Sequence, residues 1–353
     1  MRLQNISLEN FRNYSKVSVP TDADLILILG ENAAGKTNFL ESIYFLSRLK
    51  SFRVQDDLLV RNQENYFNLS ALFGEQKLEL VVQTKPALKR QFKSGGQKTQ
   101  RTFWKTFPVV LFVPNDLNLF HLGPVLRRKF FDETISQVDQ TYVLDLGSLD
   151  HILKQKTALF EQIYQGQAKP FELDVWNQEL APVAIRITKK RQELVDFINQ
   201  KLSGRISQLT GFNNQARLEY KRMFANTEEE LLASLKAHGE AEVRSGKNLI
   251  GPHRDDFELQ KDSQLNIYNS SRGELRAQVL ALKLLQAEYL SGSGRKPIIL
   301  LDDVFSELDE IRRGRLLENL SGHQIFITST EEHHLPQIAK SALMLKVENN
   351  EIK

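Results

Sequence analysis

Residues 25–37 read LILILGENAAGKT: five apolar residues run without a break into a loop framed by two glycines and closed by lysine and threonine. An unbroken apolar run this short predicts a strand buried on both faces, as in the middle of a parallel sheet. Gly30 to Thr37 fit G-x-x-x-x-G-K-T in full, and NFLESIYFLSRL behind them reads as a helix. Strand, loop and helix in this order make a phosphate cradle. Gly30 and Gly35 let the backbone curl so that the N–H groups of Glu31, Asn32, Ala33 and Ala34 turn inward. Lys36 is then placed to reach the β- and γ-phosphates, and the Thr37 hydroxyl to ligate Mg²⁺, with Asn38 opening the helix behind them. A nucleoside triphosphate is the implied ligand, with Mg²⁺ as its cofactor.

A second strand is read in PIILLDDVFSELD, residues 297–309, where four apolar residues end in Asp302 and Asp303. Open α/β sheets bind ligands beyond the carboxyl ends of their strands. Asp302 is expected to hold Mg²⁺ through a water, and Asp303 to orient an attacking water as a general base, so that Asp303 and Lys36 carry the chemistry. Most of the chain separates the two motifs, far more than a nucleotide fold needs, so a large segment must be inserted. The expected fold is therefore α/β. Lobe I, the ATPase lobe with its mixed sheet, takes residues 1–116 and 245–353, and a mainly helical lobe II takes 117–244. Within the insert, Thr227 to Glu230 form a capping box ahead of LLASLKAH. No a/d heptads are sustained, so no coiled-coil arm is expected.

Composition narrows the class. The chain has 353 residues, enough for a large core, and 47 basic against 44 acidic side chains leave a net charge of only +3. Any nucleic-acid binding must then come from local patches. There are no cysteines, which excludes disulfides, thiolate metal sites and cysteine nucleophiles. The opening MRLQNISLENFRNY lacks the apolar core of a signal peptide, and no apolar run approaches the ~18 residues of a membrane span. A cytoplasmic protein with no membrane partner is expected.

One cluster needs more than a capping role. Residues 271–274, SRGE, open a long helix of periodic leucines. The serine alone would be an ordinary N-cap, but the helix start also suits a phosphate. Phosphate loop, long insertion, this cluster, acidic strand and SELD together resemble the ATP-binding-cassette ATPases. The resemblance makes Ser271, Arg272, Gly273 and Glu274 the signature motif, which binds the γ-phosphate of a nucleotide held by a second copy, and so implies an ATP-dependent homodimer. It also makes Ser306 to Asp309 the D-loop. Ser329, ending the strand QIFITS, stands where that family carries a switch histidine, which suggests slow turnover. A transporter subunit would share these motifs but usually keeps the histidine. No N-K-x-D base-reading motif of a GTPase is present.

Longer stretches narrow the resemblance. NFRNY (10–14), GENAAGKTNFLESIYFLS (30–47), RRKFFD (127–132), PHRDD (252–256) and LLDDVFSELD (300–309) are together similar to the RecF family of bacterial recombination mediators. Those proteins resemble the heads of SMC and double-strand-break-repair ATPases without the coiled coil. The resemblance implies a weak, DNA-stimulated ATPase that dimerises on ATP and binds gapped and double-stranded DNA. With RecR and RecO it would help RecA onto DNA coated by single-strand-binding protein. It also places Arg12 beside the nucleotide.

The stretch KPALKRQFKSGGQKTQRTFWK, residues 85–105, carries no acidic side chain. Its Ser-Gly-Gly reads as a hairpin turn that sets Lys89, Arg90, Lys93, Lys98 and Arg101 on a two-stranded ribbon with Phe92, Phe103 and Trp104 between them. Such a ribbon suits phosphate contacts without sequence readout, and the alternative is an edge kept soluble by lysines. A second cluster, Arg186, Lys189, Lys190 and Arg191, reads as a solvated helix face. In PHRDD, Arg254 is expected to pair with Asp255 or Asp256.

Overall fold

The computed structural model describes residues 2–353 except 101–106, 212–214, 225–226, 262–263, 266–270 and 331–341. The chain divides into two compact units, one of Met1–Leu117 with Gln286–Lys353 and the other of Asn118–Leu285.

In the first unit the apolar run forms β3 (Leu25–Leu29), and the loop behind it leads directly into α1 (Lys36–Arg48). β3 belongs to a six-stranded sheet of order β15-β14-β3-β13-β12-β8, using β8 (Val109–Phe112), β12 (Ile298–Asp302), β13 (Ile325–Ser329), β14 (Leu343–Glu348) and β15 (Glu351–Ile352). β14, β3, β13, β12 and β8 run parallel, and β15 folds back on β14. Every residue of β12 and β13 is buried, which is why these strands read as continuous apolar runs rather than alternating ones.

A second six-stranded sheet is antiparallel, in the order β2-β1-β4-β5-β6-β7. Its strands are β1 (Asn5–Phe11), β2 (Tyr14–Pro20), β4 (Tyr66–Phe73), β5 (Gln76–Gln83), β6 (Lys89–Ser94) and β7 (Gln97–Thr99). Burial alternates strictly along β4 and β5, so one face carries Phe67, Leu69, Ala71, Leu80 and Val82 into the core. Between the sheets lies α1, which touches β1 and β4 on one side and β8, β12 and β13 on the other. Phe45 of α1 meets Phe67 edge-on at 5.4 Å, and Phe67 meets Phe11 at 5.2 Å. Each such fully buried side chain contributes about 1.5–3 kcal/mol by removal from water. The helix carrying the phosphate loop is thus held on both flanks.

The second unit is mainly helical: α2 (Pro124–Ile135), α3 (Gln140–Tyr164), α4 (Leu173–Thr210) and α5 (Glu228–Ser245). A three-stranded antiparallel sheet, β11-β10-β9, joins them through β9 (Ala216–Lys221), β10 (Asp256–Lys261) and β11 (Gln264–Leu265). α5 starts on the expected capping box, with Thr227 Oγ1 accepting from Glu230 N–H at 3.2 Å. Although α4 is 38 residues long, it packs against α2, α3, α5 and β9, and no coiled-coil arm is formed among the described residues.

Three expectations differ from what the second unit contains. Residues 245–285, grouped in the sequence with the nucleotide lobe, cluster here with the helices, because β10 pairs along its whole length with β9. The division falls inside α6 (Arg272–Ser291). Arg191 is not on a solvated face: it is 1% exposed, with Nε and Nη2 donating to the Asp132 carboxylate at 3.0 Å and Nη1 to Asp255 at 3.1 Å. Finally, Asp255 is spoken for by Arg191 and Tyr220, and Asp256 by a two-pronged contact from Arg127. Arg254 therefore donates to the Asn248 carbonyl at 2.8 and 2.7 Å instead of to either aspartate.

Candidate functional site

The site is built at the carboxyl edge of the parallel sheet. Beyond β3 the loop turns through Ala33 at φ 64° and Gly35 at φ 119°, the second a region side chains rarely enter. A Cβ on Gly30 would come within 2.6 Å of the Val347 carbonyl, and one on Gly35 within 2.9 Å of the Tyr14 hydroxyl. Both glycines are thus demanded by close neighbours. Around the loop, Tyr14 OH donates to the Gly35 carbonyl at 3.1 Å and Asn13 Nδ2 to the Ala34 carbonyl at 3.2 Å. Asn38 Nδ2 in turn donates to Asn13 Oδ1 at 2.7 Å, so the loop is braced from β2 and from its own helix.

Lys36 is folded over this loop. Its Nζ donates to the carbonyls of Gly30 and Glu31, each at 2.7 Å, and the residue is 7% exposed. Burial pushes its pKa down, while the charges of Asp303 and Asp302 oppose that shift. Glu31, Asn32 and Ala33 are exposed at the loop's tip.

The parallel register brings the distant acidic motif to the same place. Thr37 Oγ1 donates to Asp302 Oδ1 at 2.8 Å across a separation of 265 residues. Thr328, paired in register with Asp302, donates to the same oxygen at 2.9 Å and accepts from the Asp303 N–H at 2.9 Å. Burial raises the Asp302 carboxyl above its ordinary range, although the two hydroxyls favour its charged form. Asp303 turns the chain with φ 53° and is half-buried. Ser306 Oγ closes that turn by donating to the Asp303 carbonyl at 2.7 Å, and Asp309 caps α7 (Glu310–Asn319) by accepting from Arg312 N–H at 2.8 Å. Ser329 ends β13 buried, in register with Leu29. A hydroxyl beside a carboxylate is an oxygen-only donor pair. It suits a hard cation that keeps most of its waters, as Mg²⁺ does. Among the described residues no cluster of three or more His, Cys, Asp or Glu offers an all-protein metal cage.

Arg12 lies on a neighbouring network. Its guanidinium grips Glu41 with two bonds, Nε to Oε2 at 2.8 Å and Nη2 to Oε1 at 3.0 Å. Arg53 Nη2 donates to the same carboxylate at 2.6 Å and to Asn38 Oδ1 at 2.5 Å, while Ser51 Oγ donates to Glu41 Oε1 at 2.5 Å. Burial alone would raise the Glu41 carboxyl, but bonds from Arg12, Arg53 and Ser51 hold it below its usual value. Glu41, Arg53 and Asn13 are additions of the fold to the expected site. The signal available was a carboxylate on the apolar face of α1, flanked by Phe39, Leu40 and Ile43.

Elsewhere, Ser271 and Glu274 cap α6 reciprocally. Ser271 N–H donates to the Glu274 carboxylate at 2.8 Å, and Ser271 Oγ accepts from Glu274 N–H at 3.3 Å. Ser271 itself is exposed and Gly273 half-buried. The basic hairpin forms as β6 and β7 around Gly95 and Gly96, both with positive φ. Two of its cations have intramolecular partners: Arg90 pairs with Asp56, and Lys93 Nζ donates to Glu79 at 2.6 Å. Lys89 and Lys98 are exposed, whereas Phe92 turns into the core. Arg101, Phe103 and Trp104 lie outside the described residues.

Residues 1–236 match the family model of an AAA ATPase domain. A DNA replication and repair protein RecF from Moorella thermoacetica (strain ATCC 39073 / JCM 9320) is 38% identical over 341 residues, covering 95% of this chain and 92% of the relative. Among solved structures, the recombination mediator protein RecF-ATPrS of the RecFOR pathway superposes with a TM-score of 0.90 at 29% identity, covering 100% of this chain and 97% of that one. An Smc head bound to the C-terminal winged-helix domain of ScpA shares the fold at a TM-score of 0.57 and 14% identity, over 100% of this chain and 96% of the other. A phosphate loop meeting an acidic strand end in a head fold of this kind, with full-length likeness at this identity, has one reading: the chain belongs to the RecF family of DNA replication and repair proteins.

Proposed function

We propose that this protein is an ATP-switched DNA-binding protein of recombinational repair, which closes as a homodimer around two ATP molecules and hydrolyses them slowly. The observation that carries the reading is the 2.8 Å contact between Thr37 and Asp302, which joins the phosphate loop to the acidic strand end directly beside Lys36. The related RecF structure with ATPrS supports ATP as the nucleotide.

Each group then has a task. Loop N–H groups from Gly30 to Asn38 cradle the phosphates, and Lys36 exchanges its two carbonyl partners for phosphate oxygens. Thr37 and Asp302 would hold Mg²⁺, which supplies charge neutralisation at the phosphate oxygens. Asp303 orients the attacking water and takes its proton. Arg12 acts through Glu41, fixing the outer flank of α1 beside the nucleotide. Ser271 and Gly273 of one copy bind the γ-phosphate held by the other, and Ser306 to Asp309 line the junction between copies. A two-fold arrangement of this kind needs the same face on both subunits. Ser329 offers only a short buried hydroxyl where the cassette ATPases place an imidazole, which supports slow turnover. Gapped and double-stranded DNA is held through phosphate contacts that include Lys89 and Lys98, and DNA stimulates hydrolysis. RecR and RecO act in the same pathway to load RecA, consistent with the RecFOR context of the related structure.

The test is fluorescence anisotropy of a gapped duplex titrated with protein, with and without Mg-ATP, alongside light scattering. The variant is Ser271→Asp, which keeps an N-cap but sets a negative charge against a γ-phosphate. Wild-type binding should tighten at least about tenfold with ATP, and the variant should stay monomeric and show no tightening. ATP-independent binding by the wild type refutes the switch. An ATP-dependent dimer of Ser271→Asp refutes the contribution in trans.

A further inference from the structure

Thr328 holds both halves of the acidic strand end at once. Its hydroxyl donates to Asp302 Oδ1 and accepts from the Asp303 N–H, each at 2.9 Å, and the residue is 1% exposed, so water does not compete. A hydroxyl has a single proton; with that proton on Asp302 and a lone pair on the amide, its orientation is set by two partners rather than one. The amide belongs to a strained residue. Asp303 sits at φ 53°, a left-handed conformation that a non-glycine residue keeps only when its surroundings hold it there.

The placement of Thr328 differs from that of Thr37, which donates to the same carboxylate oxygen. Thr37 lies in the first turn of the helix behind the phosphate loop, and its hydroxyl is also wanted at the metal. Thr328 sits in β13, hydrogen-bonded between β3 and β12 in the middle of the parallel sheet, directly opposite Asp302. One residue further on is Ser329, at the switch position. The end of β13 and the turn that carries Asp303 are therefore linked through a side chain as well as through the ladder.

We infer that Thr328 is a positioning residue for ATP hydrolysis. Its hydroxyl sets the Asp302 carboxylate for the metal and, by clamping the Asp303 amide, aims the Asp303 side chain at the attacking water. This rests on the roles given to Asp302 and Asp303 in the proposed function. Valine matches threonine in shape but makes neither bond, whereas serine keeps both.

The experiment compares full-length wild type with Thr328→Val, Thr328→Ala and Thr328→Ser in two measurements. In Mg-ATP turnover, Val and Ala should lower kcat about ten- to a hundredfold, the effect of losing bonds to a charged group. KM should change by less than about threefold, and Ser should recover kcat to within about threefold. In amide hydrogen exchange without nucleotide, the segment from Asp303 to Leu308 should exchange at least about tenfold faster in Val and Ala but not in Ser, while Ile298–Leu301 stays protected in all. Wild-type turnover and exchange in Val would overturn the inference. So would a Ser variant as slow as Val, because the methyl group would then matter more than the hydroxyl. Loss of protection across Ile298–Leu301 in both Val and Ala would make Thr328 a strand-packing residue and overturn it too. An inactive wild type would instead defeat the ATPase reading, and the exchange comparison would still decide the clamp.

Discussion

Replacing Glu41 with glutamine tests the network that holds α1 beside the phosphate loop. The carboxylate is 0% exposed and accepts from Arg12, Arg53 and Ser51. Glutamine keeps the volume but removes the charge and turns an N–H₂ toward a guanidinium. The two arginines do not lose equally. The Arg53 side chain is 35% exposed and can turn to water, whereas the Arg12 side chain is 17% exposed and is left largely dry without a counter-charge. Stranding a buried ion-pair partner costs about 3–5 kcal/mol, and the partial exposure of Arg53 places the expected loss near 3 kcal/mol. For a domain of this size that is a melting temperature lower by about 6–12 °C. Calorimetry of wild type and Glu41→Gln from pH 7 down to pH 3 is the assay. Because the folded state holds the Glu41 carboxyl below its ordinary value, its contribution is full above that value. It is lost as pH falls through the lowered folded value, so the two melting curves should converge in acid. A variant that melts within about 2 °C of wild type at pH 7 would show that Glu41 does not hold the two arginines, as would a gap that does not narrow in acid.

Two further outcomes are expected. Arg191→Met should destabilise the second unit by about 3–5 kcal/mol, read from denaturant unfolding, because Asp132 and Asp255 lose their shared buried cation; an unchanged midpoint would show that the two carboxylates find other compensation. Replacing Lys89 and Lys98 together with alanine should reduce the slope of log affinity for duplex DNA against log salt by about 2, with melting unchanged; an unaltered slope returns the hairpin to a solvated edge.

The two strands that carry the candidate site, and the loop behind the first, are legible in the chain without its fold. LILIL followed by GENAAGKT, and IILL followed by Asp302-Asp303, are local signals, since a strand buried on both faces must be apolar throughout and a phosphate loop needs its glycines where backbone meets backbone. The capping box at Thr227 is legible for the same reason, being made by residues three apart, whereas Ser271 reads from the sequence only as an N-cap. What local pattern cannot carry is which distant groups meet. Helix propensity would end a helix at Pro182, yet α4 runs from Leu173 through it, because Leu180, Ala181, Val183 and Ala184 are buried against neighbours. Arg191 looks like one cation in a basic run, and only packing reveals that it lies between Asp132, 59 residues before it, and Asp255, 64 residues after it. Glu41 falls on the apolar face of α1, but only the fold shows that Arg12 and Arg53 are its partners. Thr328 gains its two bonds only because parallel pairing sets it opposite Asp302. A buried charge or hydroxyl is tolerable only where its partners converge, and that convergence is a property of the tertiary structure rather than of any window of the chain.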